Sequence, residues 1–228
     1  MTLLVKSLGL AVAQLSDAAV LRVLAKSIVL TLAAFVALGY GFAKLLPLLL
    51  DGYLDLAAES YVVIGALLAL AAGWFLFRMV ALAVLQLFAD EVVLAVEQRH
   101  YPAAAYRAKT LSFREDAANS LRSVGRAIAV NLIAIPVALL LIPTAIGPAI
   151  AFFGANAVLL GRELTEMTWL RHRPDPEAFS PVRPLERLLL GMAIAALLLV
   201  PFANLLAPVI GAAAGTHLVQ QAIVRRRA

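Results

Sequence analysis

The sequence predicts an all-α integral membrane protein. Its parts are two long transmembrane helices, two proline-broken hairpins that cross half the membrane and return (re-entrant), and amphipathic surface helices. Three observations predict this. The chain is 63% hydrophobic and only 14% charged, with a mean hydropathy of +0.94, whereas a soluble domain carries about a quarter charged residues. The apolar residues gather into four blocks. Every lysine and arginine except Lys44 and Arg78 falls outside all four. The chain reads as a single membrane domain over residues 1–228, with no soluble module.

Residues 1–27 form the first element and lead into the first long helix. The opening "MTLLVKSLGLAVAQLSDAAVL" has an early lysine and an "AVA" that mimics a cleavage site, but its apolar core is short. Leu4, Leu8 and Leu15 against Lys6, Ser7 and Gln14 instead predict an uncleaved two-faced helix lying in the membrane surface. Residues 28–50 and 62–89 each exceed the ~20 residues that span a hydrocarbon core. The loop between them holds Asp51, Asp55 and Glu59 and no basic residue. Residues 106–126 read as a charged helix or pair of helices.

The remaining blocks, 127–160 and 188–224, read as hairpins. Residues 127–142 amount to ~24 Å of helix and residues 188–200 to ~20 Å, both short of a ~30 Å core. Pro143 and Pro201 lack an N–H and end the first arm of each hairpin; Pro148 and Pro208 suit the first turn of the second. The turns carry no charge, so they tolerate burial. Irregular backbone at membrane depth must be covered by protein or line a wet cavity. Two ordinary, slightly short hairpins are the alternative. Between the hairpins, residues 161–172 predict a helix with Glu163, Glu166 and Arg171 facing water, and "RPDPEAFSPVRP" a loop.

If both long spans cross and each hairpin returns to its own side, the basic segments share one side with both termini. That side is the cytoplasm by the positive-inside rule. The lipid bilayer is then the first partner. A net charge of +5 spread over loops is modest for nucleic-acid binding, and no nucleic-acid partner is expected.

Enzyme chemistry has no foothold in the motifs. There is no cysteine, no H-E-x-x-H, no G-x-S-x-G and no phosphate-cradling glycine loop. His100, His172 and His217 match no metal spacing. No catalytic residue, metal or cofactor is therefore expected. His172, in "RHR", reads as a solvated interface residue, and His217 as a helix-packing hydrogen bond. Asp90, Glu91 and Glu97 read as interface residues. The hairpins contain no Asp or Glu, which favours a passive path over a proton-driven pump. Gly147, Gly154, Gly161, Gly211 and Gly215 predict close helix packing, and Asn131, Asn156 and Asn204 predict interhelical hydrogen bonds. Arg78, within the second span, is a possible charge along an anion path, or else snorkels to the interface.

The strongest anion candidate is "SDAAVLRVLAKS" at 16–27. Ser16 or Asp17 caps a new helix, whose free N–H groups favour an anion. Arg22 and Lys26, four apart, share a face. A lipid-headgroup anchor is the plainer reading of the same residues.

Taken together, "FADEVVLAVEQR", "GRELTEMTWLRHR" and "LLLVPFANLLAPVIGAAAGTHLV" resemble the CysZ-like sulfate permease and etoposide-induced-protein domain family of bacterial inner-membrane proteins. The resemblance runs over about 20–219. It implies two full spans, two half-crossing hairpins, an oligomeric assembly, and ATP-independent, channel-like sulfate uptake that feeds cysteine synthesis. It also implies a sulfate site at a Gly-Leu-Arg motif near the start of the first long helix. That motif falls on Val20, Leu21 and Arg22. Valine stands in place of glycine, and Val23 where a second arginine can follow, so the ion's identity stays open. Two functions follow as expectations. One is an oligomeric channel or permease for sulfate or another small inorganic anion, with Arg22 as primary contact backed by Val20, Leu21 and Lys26. The other is a non-transporting membrane scaffold or membrane-shaping protein of the same fold.

Overall fold

A computed structural model of the chain describes residues 2–18, 89–200 and 203–227, together with 21–22, 25–26, 29–30, 32–33, 36–37 and 40–41. Two compact units emerge: 1–20 with 89–228, and 21–88. Arg78, Val20, Pro201, the acidic loop and residues 62–88 of the predicted second span lie outside the described residues. Among those that are described, all regular structure is helical, as the sequence predicts.

In the first unit, α1 is Thr2–Ala13, continued by a 3-10 turn at Gln14–Ser16. Then come α2 (89–100), α3 (Pro102–Arg107), α4 (Phe113–Leu140), α5 (Gly147–His172), α6 (Pro184–Leu198) and α7 (Ala207–Arg227). Neighbouring helices from α4 to α7 pack pairwise, α5 also touches α7, and α1 lies along α7. The face α1 turns inward is not the one expected. Leu4 is buried, but so are Ser7, Ala11 and Gln14, while Lys6 stays out. Ser7 and Ala11 are small, and Ser7 returns its hydroxyl to the Leu3 carbonyl at 2.8 Å. Nothing among the described residues explains the burial of Gln14, whose amide atoms have no partner there.

The charged segment and the first hairpin arm are one helix rather than two. α4 opens on a capping box. The Glu115 N–H donates to Ser112 Oγ, and the Ser112 N–H donates to Glu115 Oε2 at 3.0 Å. The helix then runs unbroken through 28 residues, or ~42 Å. By length and composition α4 can cross a membrane.

The first proline break falls as expected. Leu141 ends α4, Pro143 sits in a 3-10 turn at Ile142–Thr144, and Pro148 occupies the first turn of α5. Inside this turn Ala145 has φ 60°, and the Ile146 N–H donates to the Thr144 carbonyl at 2.7 Å. That is a γ-turn with positive φ, a strained form for a residue with a β-carbon. In the second hairpin, α6 has 15 residues, ~22 Å. Pro208 lies in the first turn of α7.

Glycine sets the spacing of α5, α6 and α7. A β-carbon at Gly161 would lie 1.9 Å from the Arg187 carbonyl oxygen, and one at Gly191 would lie 1.8 Å from that of Ala157. Gly215 likewise seats α7 on the Leu164 carbonyl. Gly154, at the same heptad spacing, faces open space. Asn131 also departs from expectation. It is exposed and donates to the Ala127 carbonyl of its own helix at 2.8 Å.

The polar ends of both hairpins are bound together. Arg126 of α4 and Arg162 of α5 meet on Glu166. Arg225 of α7 forks onto Glu186 of α6, through Nη1 to Oε1 at 2.7 Å and Nη2 to Oε2 at 3.1 Å. These arginine bonds hold the Glu186 carboxyl below its ordinary value.

Candidate anion site

At the polar end of this unit a hydrogen-bonded cluster is buried among apolar helices. Val92, Val93 and Val96 make one face of α2 apolar and fully buried, and Glu97 falls on the same face. Its side chain is 0% exposed. A carboxylate there persists only if charge and lone pairs are both met. Arg171 Nη1 lies 3.5 Å from Oε2. His172 Nε2 and Gln220 Nε2 both meet Oε1, the latter at 3.0 Å. With Glu97 ionised and paired with Arg171, one histidine tautomer satisfies the contact. Nε2 must carry a proton to donate to Glu97, and the Gln220 amide then serves the carboxylate rather than the ring 3.0 Å away. The expectations that Arg171 faces water, that His172 is a solvated interface residue and that Glu97 is an interface residue are corrected. α5 buries Leu164, Thr165, Thr168 and Trp169, and helical periodicity carries His172 onto that face.

A second polar group adjoins it. Tyr101 Oη and His217 Nδ1 are 2.8 Å apart, which bears out the helix-packing role for His217. His100 stacks edge-on against the same ring at 5.3 Å. Burial pushes the Tyr101 phenol above its ordinary value, so its proton stays on. Either way the proton is shared, His217 Nε2 remains buried with no partner among the described residues. Such an atom suits water or a passing polar solute. Further along, Thr168 Oγ1 of α5 donates to Thr216 Oγ1 of α7 at 3.0 Å.

The cluster forms part of the wall of an open cavity of about 870 Å³. α3, the end of α5, the following loop and the last turns of α7 enclose it. Arg107, Lys109, Arg171, Arg173 and Arg226 line it, against Asp175 as the only acidic lining residue. Glu97 neutralises Arg171. Among the described residues, the other four have no carboxylate within salt-bridge distance. The walls are tied. The Lys109 N–H donates to the Arg171 carbonyl at 2.9 Å, and its Nζ to the carbonyls of Arg173 and Pro174.

In the second unit, Leu21, Arg22 and Lys26 are helical and exposed. Exposed Val29, Ala33, Val36 and Tyr40 follow at helical spacing, so the two cations begin an outward apolar stripe. Asp17, in the first unit, pairs with Arg99 at 3.2 Å. The sequence reading missed Glu97, Gln220 and the cavity arginines. Periodicity held a signal for two of them. Gln220 follows Thr216, His217 and Ala213 on the buried face of α7, and Glu97 follows Val93 on α2.

No curated protein and no solved structure matches the chain. A family model does, over residues 7–208. It covers both hairpins up to Pro208, the buried cluster through His172 and the Leu21–Arg22 pair. The chain belongs to the family described as Sulfate transporter CysZ/Etoposide-induced protein 2.4.

Proposed function

We propose that this protein carries sulfate or another small inorganic anion across the bacterial inner membrane, as a passive oligomeric channel or permease supporting sulfur assimilation. The observation that carries the reading is the buried polar cluster of Glu97, His172, Gln220 and His217, set between apolar helices and opening on a cationic cavity. Buried polar side chains are expensive unless paired, and a cluster of them at the wall of a cavity marks a place where a polar solute can be met. A cationic mouth raises the local anion concentration. Family membership points the same way.

In this reading residues 28–50 and 62–89 span the membrane, and the two hairpins dip into it and return. The basic ends and both termini face the cytoplasm. Arg22 is the primary anion contact, with the helix start at Val20 and Leu21 and the Lys26 ammonium beside it; Arg78 is a second charge along the path. No catalytic step or cofactor is involved.

The second reading, a non-transporting scaffold, is favoured by one observation. Arg22 and Lys26 head an exposed apolar stripe, where cations meet lipid headgroups. Sulfate flux into proteoliposomes, with chloride and phosphate as competitors, separates the two. Saturable entry that falls about tenfold in Arg22→Ala, a loss of ~1.4 kcal/mol of binding, supports the permease. A folded, reconstituted oligomer that passes no anion overturns it in favour of the scaffold.

A further inference from the structure

The cationic cavity is larger than its expected cargo needs. A tetrahedral inorganic oxyanion fills a small part of about 870 Å³, a volume within the ~300–1,000 Å³ of pockets that hold organic ligands. Its chemistry is also divided. Arg107, Lys109, Arg173 and Arg226 supply positive charge on one set of walls, in excess of the single lining carboxylate of Asp175 and of Glu115, which acts on Lys109 and Arg173. Guanidinium forks suit the paired oxygens of phosphate and sulfate groups.

The other walls are flat and apolar. Trp169 borders the cavity with only 8% of its surface open, and its indole N–H donates to the Ala178 carbonyl at 3.3 Å. Phe179 lies on the loop opposite, 87% exposed, with Arg226 Nη1 donating to its carbonyl at 3.4 Å. A large aromatic side chain left in water beside a cation is a ready stacking surface. The backbone ties from Lys109 to the end of α5 keep this geometry preformed.

We infer that the cavity binds an organic phosphate or sulfate ester carrying at least two negative charges, its anionic groups on the arginines and its body on Trp169 and Phe179. Two sources offer that chemistry, a soluble ester such as a nucleotide and the headgroup of an anionic phospholipid. The inference does not depend on transport, because it concerns equilibrium occupancy of a site rather than flux through a path.

Trp169 is one of two tryptophans, so a Trp74→Phe background makes it the reporter. The full chain is placed in nanodiscs of phosphatidylcholine and titrated with ADP, then with inorganic sulfate, while tryptophan fluorescence is followed. Saturable quenching by ADP at concentrations where sulfate has no effect is expected. Arg107→Gln with Arg173→Gln should weaken it at least about tenfold, and Arg122→Gln, on exposed α4, should leave it unchanged. Repeating the titration with phosphatidylglycerol in the disc assigns the source. ADP binding that persists marks a soluble ester. Binding displaced there, with retained phosphatidylglycerol lost from the double variant by native mass spectrometry, marks the headgroup. The inference is overturned by sulfate binding as tightly as ADP, by binding indifferent to the double variant, or by the absence of saturable ADP binding together with no variant-sensitive lipid retention. Size-exclusion profiles of the variants separate these results from misfolding.

Discussion

The apolar half of α4 and the body of α7 are both largely apolar stretches of helix with opposite surroundings. From Ala127 to Leu140, α4 buries only Ala134 and Ala138, and leaves Leu132, Ile133 and Leu140 65%, 67% and 80% exposed. α7 buries nearly every residue from Ala207 to Ala222. Side-chain volume separates them. α7 carries Gly211, Ala212, Ala213, Ala214 and Gly215, which let three neighbours approach. α4 carries long branched chains that project outward, as lipid-facing or subunit-facing surfaces do. Only the buried helix hosts polar side chains that need partners. Hydropathy alone does not distinguish an outward helix from an inward one.

The largest test of this contrast is at the glycine contacts. Gly161→Ala forces a β-carbon onto the Arg187 carbonyl, and should cost about 4 kcal/mol or abolish the fold. Gly154→Ala, one heptad away and facing open space, should instead stabilise by up to ~1 kcal/mol. Thermal unfolding in detergent reads both. Equal effects would mean the two glycines do not differ in packing.

Next comes the polar cluster. Glu97→Ala leaves Arg171, His172 and Gln220 without their shared acceptor, and should cost about 3 kcal/mol. A change below the error of the melt would show that water reaches the site freely.

The hairpin ends give a smaller, pH-dependent effect. Arg225 holds the Glu186 carboxyl below its ordinary 4.5. The folded state therefore binds this proton less readily than the unfolded one. The ion pair's contribution is complete above pH 4.5 and is lost as pH falls through the lower folded value. Melting curves below pH 4.5 should fall more steeply for the parent than for Glu186→Gln. Parallel curves would remove Glu186 from that role. Smallest is Ala145→Gly in the first turn, which relieves the positive φ and should stabilise by about 1 kcal/mol. A loss of stability would show that the turn depends on the methyl group.

Much of the fold was legible because its determinants are local. Proline removes a donor, so Pro143, Pro148 and Pro208 marked a break and two helix starts, although Pro136 lies inside α4 without ending it. The start of α4 was missed: the charged segment was begun at residue 106, although Ser112 and Glu115 carry a capping box that starts the helix at Phe113. The candidate site was less legible because it is made of residues far apart in the chain. His172 looked solvated between two arginines, and Glu97 looked like one of several acids at a helix end. What paired them was the approach of α2 to α5 and α7.

Taken by itself, the sequence determined helices, breaks, membrane character and family, since composition and backbone chemistry act at short range. It did not determine which apolar helix turns inward, or which arginines line the cavity. The tertiary structure decided both. Close approach at Gly161, Gly191 and Gly215 brings α5, α6 and α7 within reach of one another. Only at that distance does burying a carboxylate against a histidine and a glutamine cost less than leaving them apart.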